Sequence, residues 1–182
     1  MKTLDECVAL FADAPNCMAF HTAWQNWRGK EAAPTTAQVR PEDLGPALRG
    51  ISVLGANAPD NITYRIIGAV HENAIRVDLT GKKVTTMVPD GEEAPRLIRL
   101  WSIAAVPCGA VADMIYVRPS GAEHRARRLF LPVLSGVADE PRRIYMAMDM
   151  MGKRIEPHSQ DASLTTLQQS FNYIDIGYGI PE

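Results

Sequence analysis

The segment 143–150, Arg-Ile-Tyr-Met-Ala-Met-Asp-Met, alternates between two sets of side chains. Its even-numbered positions carry isoleucine and methionine, whereas its odd-numbered positions carry arginine, tyrosine, alanine and aspartate. Because successive side chains of a β-strand point to opposite faces of the sheet, this alternation predicts a strand. The segment therefore predicts a sheet whose inner face is rich in methionine.

Four further runs extend this strand to a five-stranded antiparallel sheet. Short β-branched runs at 51–54 and 62–67 flank a cluster of turn-forming residues and predict a hairpin. Longer apolar runs at 109–117 and 124–133 precede the strand at 143–151. The order of a hairpin, then helices, then three strands predicts an α+β fold with helices packed on one face of the sheet.

Helices are predicted before the hairpin and between the hairpin and the last three strands. Within 16–28, Phe20, Trp24 and Trp27 recur at spacings of four and three residues, which places them on one stripe of a helix. The segment 92–106 predicts a longer helix in which Trp101 is the only large aromatic residue. N-terminal helices should therefore precede the sheet, and a Trp101 helix should cover it.

Composition indicates one soluble globular domain. The chain has 182 residues, of which 46% are hydrophobic and 22% are charged, and its net charge is −2. That charge favours neither nucleic acid nor an anionic membrane as a partner. No apolar run approaches the roughly 18 residues that a membrane helix needs, and the N-terminus lacks the apolar stretch of a signal peptide. We therefore expect no membrane insertion.

Three scattered cysteines favour a reducing compartment. Cys7, Cys17 and Cys108 form no Cys-x-x-Cys pair, which argues against a disulfide framework and against a zinc site. The histidines also lack ligand spacing, so no metal site is predicted. We expect a cytoplasmic protein.

Basic residues concentrate around the last hairpin. They are Arg118, Arg125, Arg127, Arg128, Arg142 and Arg143. No aromatic interleaving or recognition helix accompanies them, so they predict a solvated sheet surface rather than a nucleic-acid interface. The alternation of a strand separates Arg125 and Arg127 from Arg128.

The motifs of common enzyme classes are missing. The sequence contains no nucleophile elbow, no phosphate-binding loop, no zinc-protease motif and no dinucleotide-binding fingerprint. We therefore assign no catalytic residue and expect that the protein is not an enzyme.

Five short segments, in order, resemble the PAS domain family. They are Trp24–Arg28, Val39–Leu44, Tyr64–Gly68, Asp78–Gly81 and Leu131–Val133. The resemblance covers roughly residues 20–152 and is to the proteobacterial subfamily of small, nearly stand-alone PAS proteins. It implies N-terminal helices over 1–30, a PAS-like domain over 31–152 and a C-terminal tail over 153–182.

The resemblance implies a role in signal transduction. One hypothesis is a regulatory protein-interaction module that binds a signalling protein such as a histidine kinase or a polarity factor. The alternative is a sensor that holds a small molecule between the sheet and the Trp101 helix. Its candidate ligand-binding residues are Tyr64, Ile66, Trp101, Met114, Met146 and Met148. The sequence favours the first hypothesis, because these side chains also suit an ordinary core.

Pairing through N-terminal helices is common among PAS domains, so the resemblance also implies a homodimer. Its candidate contacts are Phe20, Trp24 and Trp27, although the same stripe would equally cover its own sheet. No cofactor is predicted. Cys17 precedes the hairpin, whereas flavin-binding PAS domains place their reactive cysteine after it, and His71 lies outside the long helix that usually supplies a haem ligand.

Overall fold

A computed structural model describes residues 4–137, 142–152 and 165–181. In these ranges the helices are α1 (Leu4–Cys7), α2 (Pro15–Arg28), α3 (Ala69–Ile75) and α4 (Glu93–Ala105). The strands are β1 (Ile51–Ala58), β2 (Asn61–Ile66), β3 (Gly109–Val117), β4 (Glu123–Val133), β5 (Arg142–Met151) and β6 (Thr165–Ile174). Short 3₁₀ helices lie at Val8–Leu10, Thr36–Gln38 and Pro41–Gly50.

The strands form one antiparallel sheet in the order β2-β1-β5-β4-β3-β6. The predicted α+β class is confirmed, but the sheet has six strands rather than five. The sixth comes from the predicted tail, whose residues 153–164 lie outside the described residues. Most β6 side chains are polar or half-exposed, and the strand is held by backbone pairing with β3. Hydrophobic periodicity therefore could not predict it.

The alternation of β5 divides the interior into two cores. Its even-numbered side chains, among them Met146 and Met148, pack in the core that lies under α3 and α4. Its odd-numbered residues face the core formed with α1 and α2. The methionine-rich face is therefore covered by α3 and α4 as predicted, and the N-terminal helices cover the opposite face.

Asp149 attaches α2 to the middle of the sheet. Its carboxylate is buried and accepts hydrogen bonds from the backbone N–H groups of Asn16 and Cys17, at 3.0 and 2.9 Å. A carboxylate at this position satisfies free donors and interacts favourably with the helix dipole. Burial and the Asp149 charge raise the pKa of the Cys17 thiol, so Cys17 is an unreactive structural residue.

The aromatic stripe of α2 is buried within the chain. Phe20 and Trp24 are fully buried and Trp27 is 5% exposed. The indole N–H of Trp24 donates to the Pro132 carbonyl oxygen at 2.9 Å, and that of Trp27 donates to Asp43 at 2.8 Å. The residues assigned to a dimer contact therefore contact their own sheet and a neighbouring 3₁₀ helix.

None of the helices in the described ranges has the length and apolar character needed to cross a membrane.

We predict that Gly68→Ala destabilises the fold by about 1 to 3 kcal/mol. A Cβ atom at Gly68 would lie 2.5 Å from the Ile51 carbonyl oxygen and 2.8 Å from that of Arg49. Both contacts are to backbone, which cannot move without disturbing the start of β1. The measurement is urea unfolding followed by circular dichroism.

The control for Gly68 is Gly81→Ala. Gly81 has φ +77° and open space around it, so its substitution meets backbone strain without a clash. We expect the cost at Gly81 to be smaller, about 1 kcal/mol. A Gly68→Ala protein with the wild-type urea midpoint would contradict the close approach.

We also predict that Asp149→Asn lowers the free energy of unfolding by about 1 to 2 kcal/mol, because it removes the charge at the start of α2. The matched control is Asp78→Asn. Asp78 also accepts a backbone N–H, that of Thr80 at 2.8 Å, but it is exposed. Equal urea midpoints of Asp149→Asn and Asp78→Asn would contradict a stabilising role of Asp149 in attaching α2 to the sheet.

Candidate functional site

The six predicted ligand-binding residues do not form one site. Met114, Met146 and Met148 are fully buried core residues. Tyr64 is buried as well, but it lines a cavity. Of the predicted set, Tyr64 therefore lines this cavity, whereas Met114 lines a separate, more open groove beside Arg125 and Arg127.

Ile66 lies on the opposite side from Tyr64 and is 57% exposed. Two residues apart on a regular strand, they should share a face. The pairing with β1 shifts, however: Tyr64 lies opposite Leu54, whereas Ile66 lies opposite Val53. This bulge places one extra residue, Arg65, in β2 and turns Ile66 out of the core.

Trp101 lies at the edge of the core rather than over a ligand space. It is half-buried, and the Arg142 guanidinium stacks 5.7 Å from its ring centroid. The buried stripe of α4 is instead formed by Leu100, Ile103 and Ala104. The prediction that the Trp101 side of this helix faces a ligand space is therefore wrong.

The cavity lies beneath α3 and the loop that joins α3 to α4. Its volume is about 10 Å³, close to what one water molecule needs. One part of its wall is polar and the other apolar. The lining residues are Tyr64, His71, Ile75, Leu79, Val84, Met87, Arg96, Arg128 and Thr166.

Arg128, in β4, supplies a buried positive charge to this wall. It is 1% exposed. One Nη2 hydrogen is donated to the Tyr116 hydroxyl, and Nη2 also lies 3.0 Å from His71 Nε2. The guanidinium stacks 5.5 Å from the Tyr116 ring centroid. Its Nε is buried and has no hydrogen-bond acceptor among the described residues.

Arg96 brings a second guanidinium to the same cavity from α4. Its Nε is also buried without an acceptor in the described part of the chain. Burial lowers the pKa of Arg96, and the nearby Arg128 charge lowers it further, although arginine remains protonated in proteins. Tyr64 favours the charged form of both guanidinium groups.

His71 is neutral in this arrangement. Because Nε2 accepts the hydrogen bond from Arg128, the ring proton belongs on Nδ1, which lies 3.4 Å from Ser52 Oγ. Burial, followed by the charges of Arg128 and Arg96, lowers the pKa of His71 well below its usual value. Burial likewise raises the pKa of Tyr116, so its phenol is neutral.

The resulting site is cationic and rich in hydrogen-bond donors. No aspartate or glutamate of the described ranges lines the cavity. The described residues also contain no group of three His, Cys, Asp or Glu side chains that would suit a metal ion. Chemically, the site suits an anion or a hydrogen-bond acceptor rather than a cation.

Sequence reasoning missed both arginines. It assigned Arg128 to a solvated surface, although the alternation of β4 already separated Arg128 from Arg125 and Arg127. Arg96 precedes Leu100 by four residues and Ile103 by seven, which are positions on one helix face. The two side chains approach only through tertiary packing, so no local motif indicates their pairing.

We predict that His71 makes stability depend on pH below about pH 6.5, the ordinary pKa of histidine. The unfolded chain binds a proton there that the folded protein excludes, because the folded pKa is lowered. The stabilisation is complete above that pH and declines as the pH falls toward the folded pKa. Between pH 7.5 and 5.5, the free energy of unfolding, measured with urea, should therefore fall by about 1 kcal/mol more in the wild type than in His71→Gln.

The glutamine in this variant keeps an oxygen acceptor for Arg128 without titrating near neutral pH. His124→Gln, at a half-exposed position, is the control and should keep most of the wild-type loss. Equal pH dependence in the wild type and His71→Gln would show that His71 is not held neutral.

Comparison with known families gives one match. The family model described as PAS domain matches residues 12–148, from just before α2 to Met148 in β5. Searches among curated proteins and among solved structures give no match. Because the matched region covers most of the chain, this protein belongs to the PAS domain family, whose members are sensory and regulatory modules of signal transduction.

Proposed function

We propose that the protein is a small-molecule sensor of a signalling pathway and that its ligand binds in the cavity beneath α3. The observation that carries the proposal is Arg128, which lines the cavity and whose Nε is a buried donor with no acceptor among the described residues. Nearly all buried polar atoms in folded proteins are hydrogen-bonded, so such an orphaned donor indicates a place for another molecule. The proposed site includes Tyr64 but not Trp101.

The output of this sensor is contact with a signalling protein, such as a histidine kinase or a polarity factor. The cavity has a direct connection to an edge of the sheet. Thr166 of β6 donates two hydrogen bonds to the Met87 carbonyl oxygen, from its hydroxyl at 2.8 Å and its N–H at 3.1 Å. Both residues line the cavity, so a ligand that moves the Met87 loop also acts on the edge strand β6.

The role we propose is regulatory and not catalytic. Homodimerisation remains a prediction, and it needs a surface other than the buried stripe of α2. The cytoplasmic location also remains a prediction. It is supported by Cys7, Cys17 and Cys108, which are buried free thiols.

We predict that fragment-sized molecules bind in the cavity and shift the methyl NMR signals of its apolar wall, in particular Val84 and Met87. The library should contain neutral and charged molecules, so that the test does not depend on the charge of the ligand. Val84→Leu adds a methylene group to the wall and should weaken this binding. Val137→Leu makes the same change at an exposed position and should leave the binding intact.

A folded protein in which no fragment of any charge shifts these methyl signals would contradict the sensor. The protein-interaction hypothesis without a ligand would then be preferred.

A further inference from the structure

We infer that Arg96 and Arg128 together recognise the carboxylate group of a small organic acid. This inference names the class of ligand and rests on the proposed function, because it assumes that the cavity admits a molecule.

The first argument compares two neighbouring arginines of β4. Arg127 points to the α1 and α2 side of the sheet and pairs with two carboxylates, Asp113 at 2.7 Å and Asp13 at 2.6 Å. Arg128 points to the other side, where it is buried and lines a cavity with no acidic residue in the part of its wall that the structure describes. The more deeply buried arginine is therefore the one that lacks an anion within the described residues.

The second argument is the repulsion between the two buried charges. Arg96 is close enough to Arg128 that its pKa is lowered by it, and both side chains line one small cavity. Burial opposes the charge of Arg128, whereas Tyr116 and Tyr64 favour it and raise its pKa overall, but no aspartate or glutamate among the described residues lines the cavity. A buried charge without a counter-ion is strongly unfavourable, and two adjacent ones are worse. A single bound anion would compensate both.

The third argument is the geometry of the free donors. In both arginines the donor without a protein acceptor is Nε. The Nε and Nη hydrogens on one edge of a guanidinium group match the two oxygens of a carboxylate. The neutral state of His71 keeps a third positive charge out of the site, so the net charge remains suited to a small anion.

The remaining wall defines the rest of the ligand. Ile75, Leu79, Val84 and Met87 present an apolar surface beside the arginines. The cavity of about 10 Å³ has room for about one water molecule, so even a short acid enters only if side chains move. Met87 can move most readily, because methionine is flexible and only half-buried here. The apolar part of the wall offers no donors to the additional oxygen atoms of a phosphate group.

The experiment uses the full chain in carboxylate-free buffer at constant ionic strength. Acetate, butanoate and benzoate are compared with acetamide, butanamide and benzamide, which have similar shapes but no charge. We expect at least one acid to raise Tm by roughly 3 to 6 °C at tenfold its Kd, and its amide to leave Tm unchanged. The same acid should shift the methyl signals of Val84 and Met87.

Four variants test the assignment to the two arginines. Arg96→Met and Arg128→Met should each abolish the acid-induced rise in Tm. Arg99→Met on the same helix as Arg96, and Arg125→Met on the same strand as Arg128, should retain it. In the absence of acid, Arg96→Met should unfold at the wild-type temperature or above it, because it removes an uncompensated charge. If Arg128→Met does not fold, Arg96→Met alone decides the test.

Several results would overturn the inference. Amides that bind as well as acids would leave the sensor in place but remove its preference for an anion. A rise in Tm with inorganic phosphate or chloride, and none with the acids, would assign a different anion. Retention of the acid response by Arg96→Met would place the binding elsewhere. If no acid acts while neutral fragments still shift the cavity methyls, the inference fails and the proposed function stands.

Discussion

The hydrogen bonds from the first turn of α2 to the Asp149 carboxylate determine how both faces of the sheet are used. Asp149 lies on a central strand, and its side chain holds α2 against one face. Because neighbouring residues of a strand alternate, Met148 must then point to the other face, beside its strand partner Arg128. The same alternation thus buries the N-terminal helix on one side and a charged cluster on the other.

Much of the architecture follows from local pattern. The period of β5, the hairpin of β1 and β2, and the range of α4 were predictable, since each depends on residues close together in the chain. Two errors have different origins, one in an irregular strand and one in a regular helix. A bulge at Arg65 turned Ile66 outward, and the true inner face of α4 was rotated away from Trp101. β6 escaped prediction because its apolar contacts, from Phe171, Tyr173 and Ile174, lie at one end of the strand and the rest is held by backbone pairing with β3.

The candidate site was far less predictable than the fold. Its polar residues come from α3, α4 and three strands, and no two of them stand in a recognisable sequence motif. Tyr64 was predicted as a candidate ligand-binding residue, but together with Trp101 rather than with the two arginines. The sequence analysis considered His71 and Arg128 separately. Their role in the site depends on their being buried together, with Arg128 Nη2 3.0 Å from His71 Nε2. The alternation of one strand cannot predict that contact. What indicates a function here is an imbalance of buried charge.

The hydrogen bonds between Thr166 and Met87 have a consequence for the order in which the protein is assembled. The region that matches the PAS domain family ends at residue 148, before Thr166. During synthesis from the N-terminus, both arginines are therefore made long before the residue that completes the wall of their cavity. An incomplete chain that ended before β6 would leave the Met87 loop without this attachment.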